Sequence, residues 1–269
     1  MSRVSYQFDD ETALEQVGEH RWRTHLVADW NIGVNPNGGY LLAPLQRAMG
    51  QASGHPDPLS VTTHYLRPGS AGPAEIEVEV VRTGRTIGTV RGRLIQDGKT
   101  RLESLGAFSD LANPVSVATV SIDPVDLPPP EECVSRAALA QGVEIPLLNR
   151  VEVRVHPDHA DAQGGRSPEI SGWIRFSDGR PVDAAALSLF ADAFPPPLFA
   201  LLGRIGWVPT IELTVQFRRQ PVEGWIRGHF ATTDVAGTKT IEDAMLWDES
   251  GTLVAQARQC SLILQDGTP

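Results

Sequence analysis

The feature that most constrains this chain is that it repeats itself. Pro68 and Pro221, Gly84 and Gly237, and Gly98 and Gly251 all share one spacing of 153 positions, with β-rich runs between them in each half. Two copies of one small fold is the reading that such self-similarity supports. The copies also differ in a telling place. On a late strand Gly106 stands where the second copy has Gln259, at the same spacing. A duplicated scaffold with polar side chains in one half only is what a single site on a pseudo-dimer would look like.

Each copy reads as strand, helix and a four-strand meander. In the first, Arg21 to Val27 alternates as a strand, the loop Asn35-Pro36-Asn37-Gly38-Gly39 feeds a helix over Tyr40 to Met49, and Pro44 is tolerable there only in an early turn or at a kink. Strand-like runs follow over Ser60 to Leu66, Ala74 to Arg82, Thr86 to Gln96 and Thr100 to Phe108, the last two joined by an Asp97-Gly98 hairpin turn. Residues 112 to 132 hold five prolines and no aromatic anchor, which marks a connecting segment. The second copy offers strands over Arg150 to Val155 and Glu169 to Phe176, a helix from about Val182 to Phe194, then Thr210 to Phe217, Gly224 to Thr233, Thr238 to Trp247 and Thr252 to Leu264. The expected division is a first repeat over 1–111, a connector over 112–147 and a second repeat over 148–269. When the helices are aligned by Gly38 and Pro181, Asp192 falls where the first copy has Met49. A helix lying across a curved antiparallel sheet, made twice, can close by pairing the edges of the two sheets.

Composition narrows the class. The formal charge is −10, and all but two of the 23 basic residues are Arg, without a cluster dense enough to follow a phosphate backbone. Nucleic acid is therefore not an expected partner. Cys133 and Cys260 lie far apart and near no His pair, so neither a metal site nor a disulfide framework is expected. The N-terminus turns acidic at once, and no stretch approaches the roughly 18 apolar residues a membrane helix needs. The expectation is a soluble cytoplasmic protein with no membrane partner.

Asn37-Gly38-Gly39-Tyr40 opening a helix and His64-Tyr65-Leu66-Arg67-Pro68-Gly69 closing a strand resemble the first half of a double-hotdog acyl-CoA thioesterase. Ala191-Asp192, Thr210-Ile211-Glu212 and Gly251-Thr252-Leu253-Val254-Ala255 leading to Gln259 match the second half. The chain resembles the type II (TesB-like) family from about Leu14 to Leu264. The resemblance implies an α+β double hotdog fold, hydrolysis of an acyl-CoA thioester, a place in fatty acid metabolism, and Asp192, Thr210 and Gln259 as the groups that hold the hydrolytic water. The chain departs from the family where Ile211-Glu212-Leu213 replaces the frequent Ile-Asp-His continuation. No metal or redox cofactor is implied.

Thioester hydrolysis needs an activated water and stabilisation of the oxyanion, not a covalent nucleophile. Asp192 can accept the proton while a hydroxyl and a carboxamide fix the water. Gly38 and Gly39, at a helix start, are the expected substrate-binding backbone donors. Each has a plainer reading: Asp192 as a surface carboxylate at a helix C-terminus, Gln259 as a structural hydrogen bonder, and the glycines as a tight loop. Strict alternation places Thr210 outward with Glu212, Thr214 and Gln216, unless a bulge turns it inward. His64 falls on Phe217 at the repeat spacing and reads as a packing position. No Gly-x-Ser-x-Gly elbow exists. Arg67, Arg82 and Arg85 are candidates for the CoA phosphates, and Trp30, Trp173, Trp207 and Phe199 for an acyl tunnel, with surface charge and core packing as the alternatives. An acyl-binding protein without turnover and an enoyl-thioester hydratase remain as other readings, and homo-oligomers through hotdog edges or faces stay open.

Overall fold

The computed structural model describes residues 5–112, 119–139, 142–160, 164–203 and 206–264. Helix α1 (Gln7–Asp10) precedes strands β1 (Glu15–Gly18) and β2 (Arg21–Leu26), and β3 (Asn31–Ile32) with β4 (Asn35–Pro36) forms a separate two-residue ribbon. Helix α2 (Gly38–Ser53) and the meander β5 (Asp57–Tyr65), β6 (Gly72–Arg82), β7 (Gly88–Gln96) and β8 (Lys99–Ser109) complete the first half. The second half holds β9 (Val134–Ser135), β10 (Val151–Val155), β11 (Glu169–Phe176), α3 (Ala184–Phe190), α4 (Leu198–Leu202), β12 (Thr210–Phe217), β13 (Ile226–Ala236), β14 (Lys239–Trp247) and β15 (Leu253–Leu262).

These strands make one 13-stranded sheet in the order β1-β2-β6-β7-β8-β5-β12-β15-β14-β13-β11-β10-β9. Read outward from the β5–β12 seam, β8-β7-β6-β2 on one side mirrors β15-β14-β13-β11 on the other. At the seam the strands run antiparallel, Val61 faces Val215 and Thr62 faces Thr214, whose hydroxyls lie 2.9 Å apart. The seam removes the exposed edge that each half would present alone. It also places the start of the second meander beside the end of the first copy's β5, which is what brings residues of both halves to one site.

Helix α2 forms because Asn37 caps it, accepting a bond from the Tyr40 N–H (2.9 Å) through its side chain. It continues through Pro44 because Leu41, Leu42, Leu45 and Met49 are buried around it. Burial of several such side chains at about 1.5–3 kcal/mol each outweighs the roughly 3 kcal/mol an internal proline costs. The second helix is shorter than its apolar pattern predicts. Asp183 caps α3 through the Ala186 N–H (2.8 Å), but the helix ends at Phe190 and tightens into bonds from Asp192 N to Leu189 O and from Ala193 N to Phe190 O. Pro195-Pro196-Pro197 ends it, since the residue before a proline is pushed away from helical geometry. Asp192 therefore sits in a turn just after the helix, not on it.

Aromatic rings join the halves behind the site. Phe8, Trp30 and Tyr40 from the first half meet Phe176 and Phe190 from the second, with centroids 5.0 Å apart for Phe8 and Phe176. The described part of the proline-rich connector straps the second half. Its carbonyls at Ile122, Val125 and Pro128 accept bonds from Trp247, Arg227 and Trp173. Leu127 and Cys133 pack with Trp173 in a cluster apart from the main core. Trp173 thus serves the strap and Trp30 the core, whereas Trp207 is exposed. Among the described residues no helix is long and apolar enough to cross a membrane.

Candidate active site

Asp192 lies against the N-terminus of the opposite copy's helix. Asn37 Nδ2 donates to its Oδ2 (2.8 Å) and to its main-chain carbonyl (2.7 Å), and the Gly39 N–H donates to the same Oδ2 (3.0 Å). Because the Asn37 Oδ1 is engaged as the α2 cap, its amide is held from both ends. The unfavourable dipole end of the seven-residue α3 is thereby offset by the favourable end of the 16-residue α2. Arg136, buried beneath the turn, donates to the Ala193 carbonyl. The glycines are needed here for space. A Cβ on Gly39 would come within 2.5 Å of the Ser188 carbonyl oxygen, so only glycine lets α2 approach α3 this closely. Gly38 and Gly39, expected to present N–H groups to substrate, turn them toward the Asp192 carboxylate in this structure.

On the sheet side, Gln259 Nε2 donates to Thr210 Oγ1 (2.8 Å) and to Ser261 Oγ (2.9 Å). Thr210 in turn hydrogen-bonds the Asp192 carboxylate. The polarity runs one way: the amide donates to the hydroxyl and the hydroxyl to the carboxylate. Gln259 does not reach Asp192 directly but through Thr210. Thr210 faces inward because of a bulge, which pairs Thr210 with Ser261 and Glu212 with Cys260 and leaves Ile211 unmatched. The three expected residues are thus brought together, and His64 is not: it is exposed on the outer face opposite Glu212 and Glu103. Arg67, Arg82 and Arg85 are exposed at the surface.

The first copy shows the same framework closed with apolar groups. Across β13, β14 and β15 the row is Thr232, Glu242, Gln259, whereas across β6, β7 and β8 it is Val80, Val90, Gly106. Phe108 stands where Ser261 does, and a Cβ on Gly106 would lie 2.8 Å from Phe108 and 3.0 Å from Met49. Met49 and Phe108 fill the position that Asp192, Gln259 and Ser261 occupy in the second copy.

Burial raises the Asp192 carboxyl from 3.8 to about 6, although bonds from Gly39, Gly38, Asn37 and Thr210 pull it down. Glu242 is raised further, to about 8, by burial and then by the charges of Asp192 and Asp243. At neutral pH Asp192 is therefore the anion and Glu242 the neutral acid. Tyr65 is held well above its ordinary 10 by burial, then by Asp192 and Glu212. Asn37 as a side chain, Tyr65 and Glu242 belong to the site without having been singled out from the sequence. Only Glu242 left a usable signal, a carboxylate alternating in phase with Thr240, Ala244 and Leu246 on an otherwise mostly apolar strand face.

A curved antiparallel sheet wrapped round two helices, with one polar site at the junction of the copies, defines the protein as a double-hotdog thioesterase-type fold. A solved hot dog fold protein from Alicyclobacillus acidocaldarius superposes with a TM-score of 0.84 over 99% of this chain and all of that one, at 24% identity. Two family models match in tandem, the acyl-CoA thioesterase N-terminal domain over residues 26–121 and the acyl-CoA thioesterase C-terminal domain over residues 130–263. The chain belongs to this TesB-like acyl-CoA thioesterase family. Its relatives include a structure described as a candidate thioesterase II from Thermobifida fusca YX, 33% identical with a TM-score of 0.87, covering 97% of this chain and 98% of that one. The thioesterase-like protein TwmA of Talaromyces wortmannii is 24% identical, covering 97% of this chain and 93% of its own.

Proposed function

We propose that this protein hydrolyses an acyl-CoA thioester by direct attack of water, with Asp192 as general base and Thr210 and Gln259 positioning the nucleophile. The observation that carries this reading is the one-way chain from Gln259 through Thr210 to Asp192, present in the second copy and replaced by apolar packing in the first. With its amide nitrogen spent on Thr210 and Ser261, Gln259 keeps its carbonyl oxygen to accept from a water. Asp192 takes the second water proton as the oxygen bonds to the thioester carbon. Collapse of the intermediate then breaks the C–S bond, and the leaving thiolate takes up the proton from Asp192 to depart as the thiol and restore the carboxylate. A carboxylate titrating near 6 suits this task, since it is ionised at neutral pH yet basic enough to share a proton in the transition state. The neutral Glu242 beside it leaves one negative charge to be held, not two. The unpaired Cys133 and Cys260 fit a reducing compartment, and we place the activity in the cytoplasm.

The test is release of free thiol from a panel of acyl-CoAs of graded chain length, compared with the Asp192→Asn variant. Release with a preferred acyl class that is lost in the variant supports the reading. Binding of acyl-CoA without release by the wild type replaces it with a non-catalytic acyl-binding role.

A further inference from the structure

Tyr65 closes β5 on the inner face that also carries Val61 and Thr63, and its hydroxyl is buried without any hydrogen-bond partner. A buried hydroxyl without a partner is costly, and native structures keep few of them. Its position is specific. From the point where a Gly38 side chain would begin, Tyr65 Cε1 lies 2.9 Å away, Tyr65 Cζ 3.1 Å and Asp192 Oδ2 3.0 Å. The phenol and the catalytic carboxylate thus converge on the start of α2, packed so closely that only glycine fits at position 38. The Gly39 N–H at the same helix start already serves Asp192. Tyr65 is the donor left over.

We infer that the Tyr65 hydroxyl donates a hydrogen bond to the thioester carbonyl oxygen and stabilises the oxyanion formed when water adds to the carbonyl carbon. The inference rests on the hydrolytic reading above and assigns it the electrophilic half that the backbone amides leave open. No proton is transferred to the oxyanion: the O–H bond stays intact, the charge on oxygen is held by the hydrogen bond, and the C–S bond breaks as the carbonyl re-forms. Burial, and then the charges of Asp192 and Glu212, keep the phenol protonated through the working pH range, so it retains a proton to donate. The site can hold it unpaired because its partner arrives with the substrate.

Tyr65→Phe separates this role from packing, since it removes one oxygen and keeps the ring. With the acyl-CoA that the wild type turns over best, kcat is expected to fall about 100- to 1,000-fold with KM nearly unchanged, a range ordinary for the loss of one oxyanion donor. The melting temperature should stay level or rise, because an unsatisfied buried hydroxyl has been removed. Unchanged kcat overturns the inference, as does a kcat loss accompanied by an equal loss of folding stability. A second measurement reads the contact without turnover. The infrared carbonyl stretch of 13C-labelled acyl-CoA bound to Asp192→Asn is expected to move to lower frequency, and to return in Asp192→Asn/Tyr65→Phe. If the wild type hydrolyses no acyl-CoA, the hydrolytic reading fails while this measurement still decides whether Tyr65 touches the carbonyl.

Discussion

Asp192→Asn should destroy activity and strengthen the fold. Burial holds the folded carboxyl at about 6 against an ordinary 3.8. A gap of about two pH units, at about 1.4 kcal/mol each, makes the ionised carboxylate cost about 3 kcal/mol of stability at neutral pH. The sign follows from the raised value. The folded state binds the proton more tightly than the unfolded chain, so wild-type stability is full below pH 3.8 and is lost as pH climbs through 6. Asparagine has no such loss, and its side-chain oxygen can still accept from Gly39 and Asn37. For a chain of 269 residues, an unfolding entropy near 2 cal/mol/K per residue converts about 3 kcal/mol into a melting-temperature gain of about 5 °C. The assay is thermal unfolding of both proteins from pH 4 to 8, alongside thiol release over the same range. The gain should be absent at pH 4 and complete near pH 7, and wild-type kcat/KM should fall about tenfold per pH unit below 6. A gain over wild type that is no larger at pH 7 than at pH 4, or a rate flat down to pH 5, would refute the placement of a buried, charged Asp192.

Glu242→Gln should also stabilise the protein, by about 3 kcal/mol at pH 7, because a carboxyl held near 8 forgoes ionisation that the unfolded chain enjoys above 4.5; urea unfolding at pH 4 and pH 7 checks that the gain appears only at the higher pH. Gly39→Ala should cost about 1–3 kcal/mol and most of the activity, since its Cβ meets the backbone of Ser188 and Leu189, which cannot move aside as a side-chain tip could. Asn37→Ala removes the α2 cap and a donor to Asp192, so a stability loss of about 1 kcal/mol should accompany an upward shift of the acid limb of the pH–rate profile. Gln259→Gly, copying the first half, should lower kcat and leave acyl-CoA affinity measurable by equilibrium binding.

Much of the fold was written in local pattern. The 153-residue spacing, the alternation of each strand and the Asp97-Gly98 turn specify two copies of helix plus meander, because these signals depend on neighbours in the chain. Asp192, Thr210 and Gln259 stand out through motif, and Gln259 through the difference between copies, and the structure brings the three together. Local pattern failed where a distant contact or a break in regularity decided the outcome. The length of α3 was set by three prolines following an apolar run that would otherwise have continued it. Thr210 faces the site only because one unmatched residue reverses strand alternation, and a bulge depends on the partner strand, which the residue's own neighbours do not encode.

What the sequence alone determined is the duplicated architecture and the set of polar groups kept in one copy. What tertiary structure alone decided is how they meet. Asn37 and Gly39 precede Asp192 by more than 150 residues, yet they are its hydrogen-bond donors, because the β5–β12 seam brings the first copy's helix start onto the second copy's turn. The same approach buries Tyr65 and Glu242 beside that carboxylate and sets which of them carries charge. Desolvation and proximity are properties of the packed molecule, so no reading of spacing or composition could have assigned them.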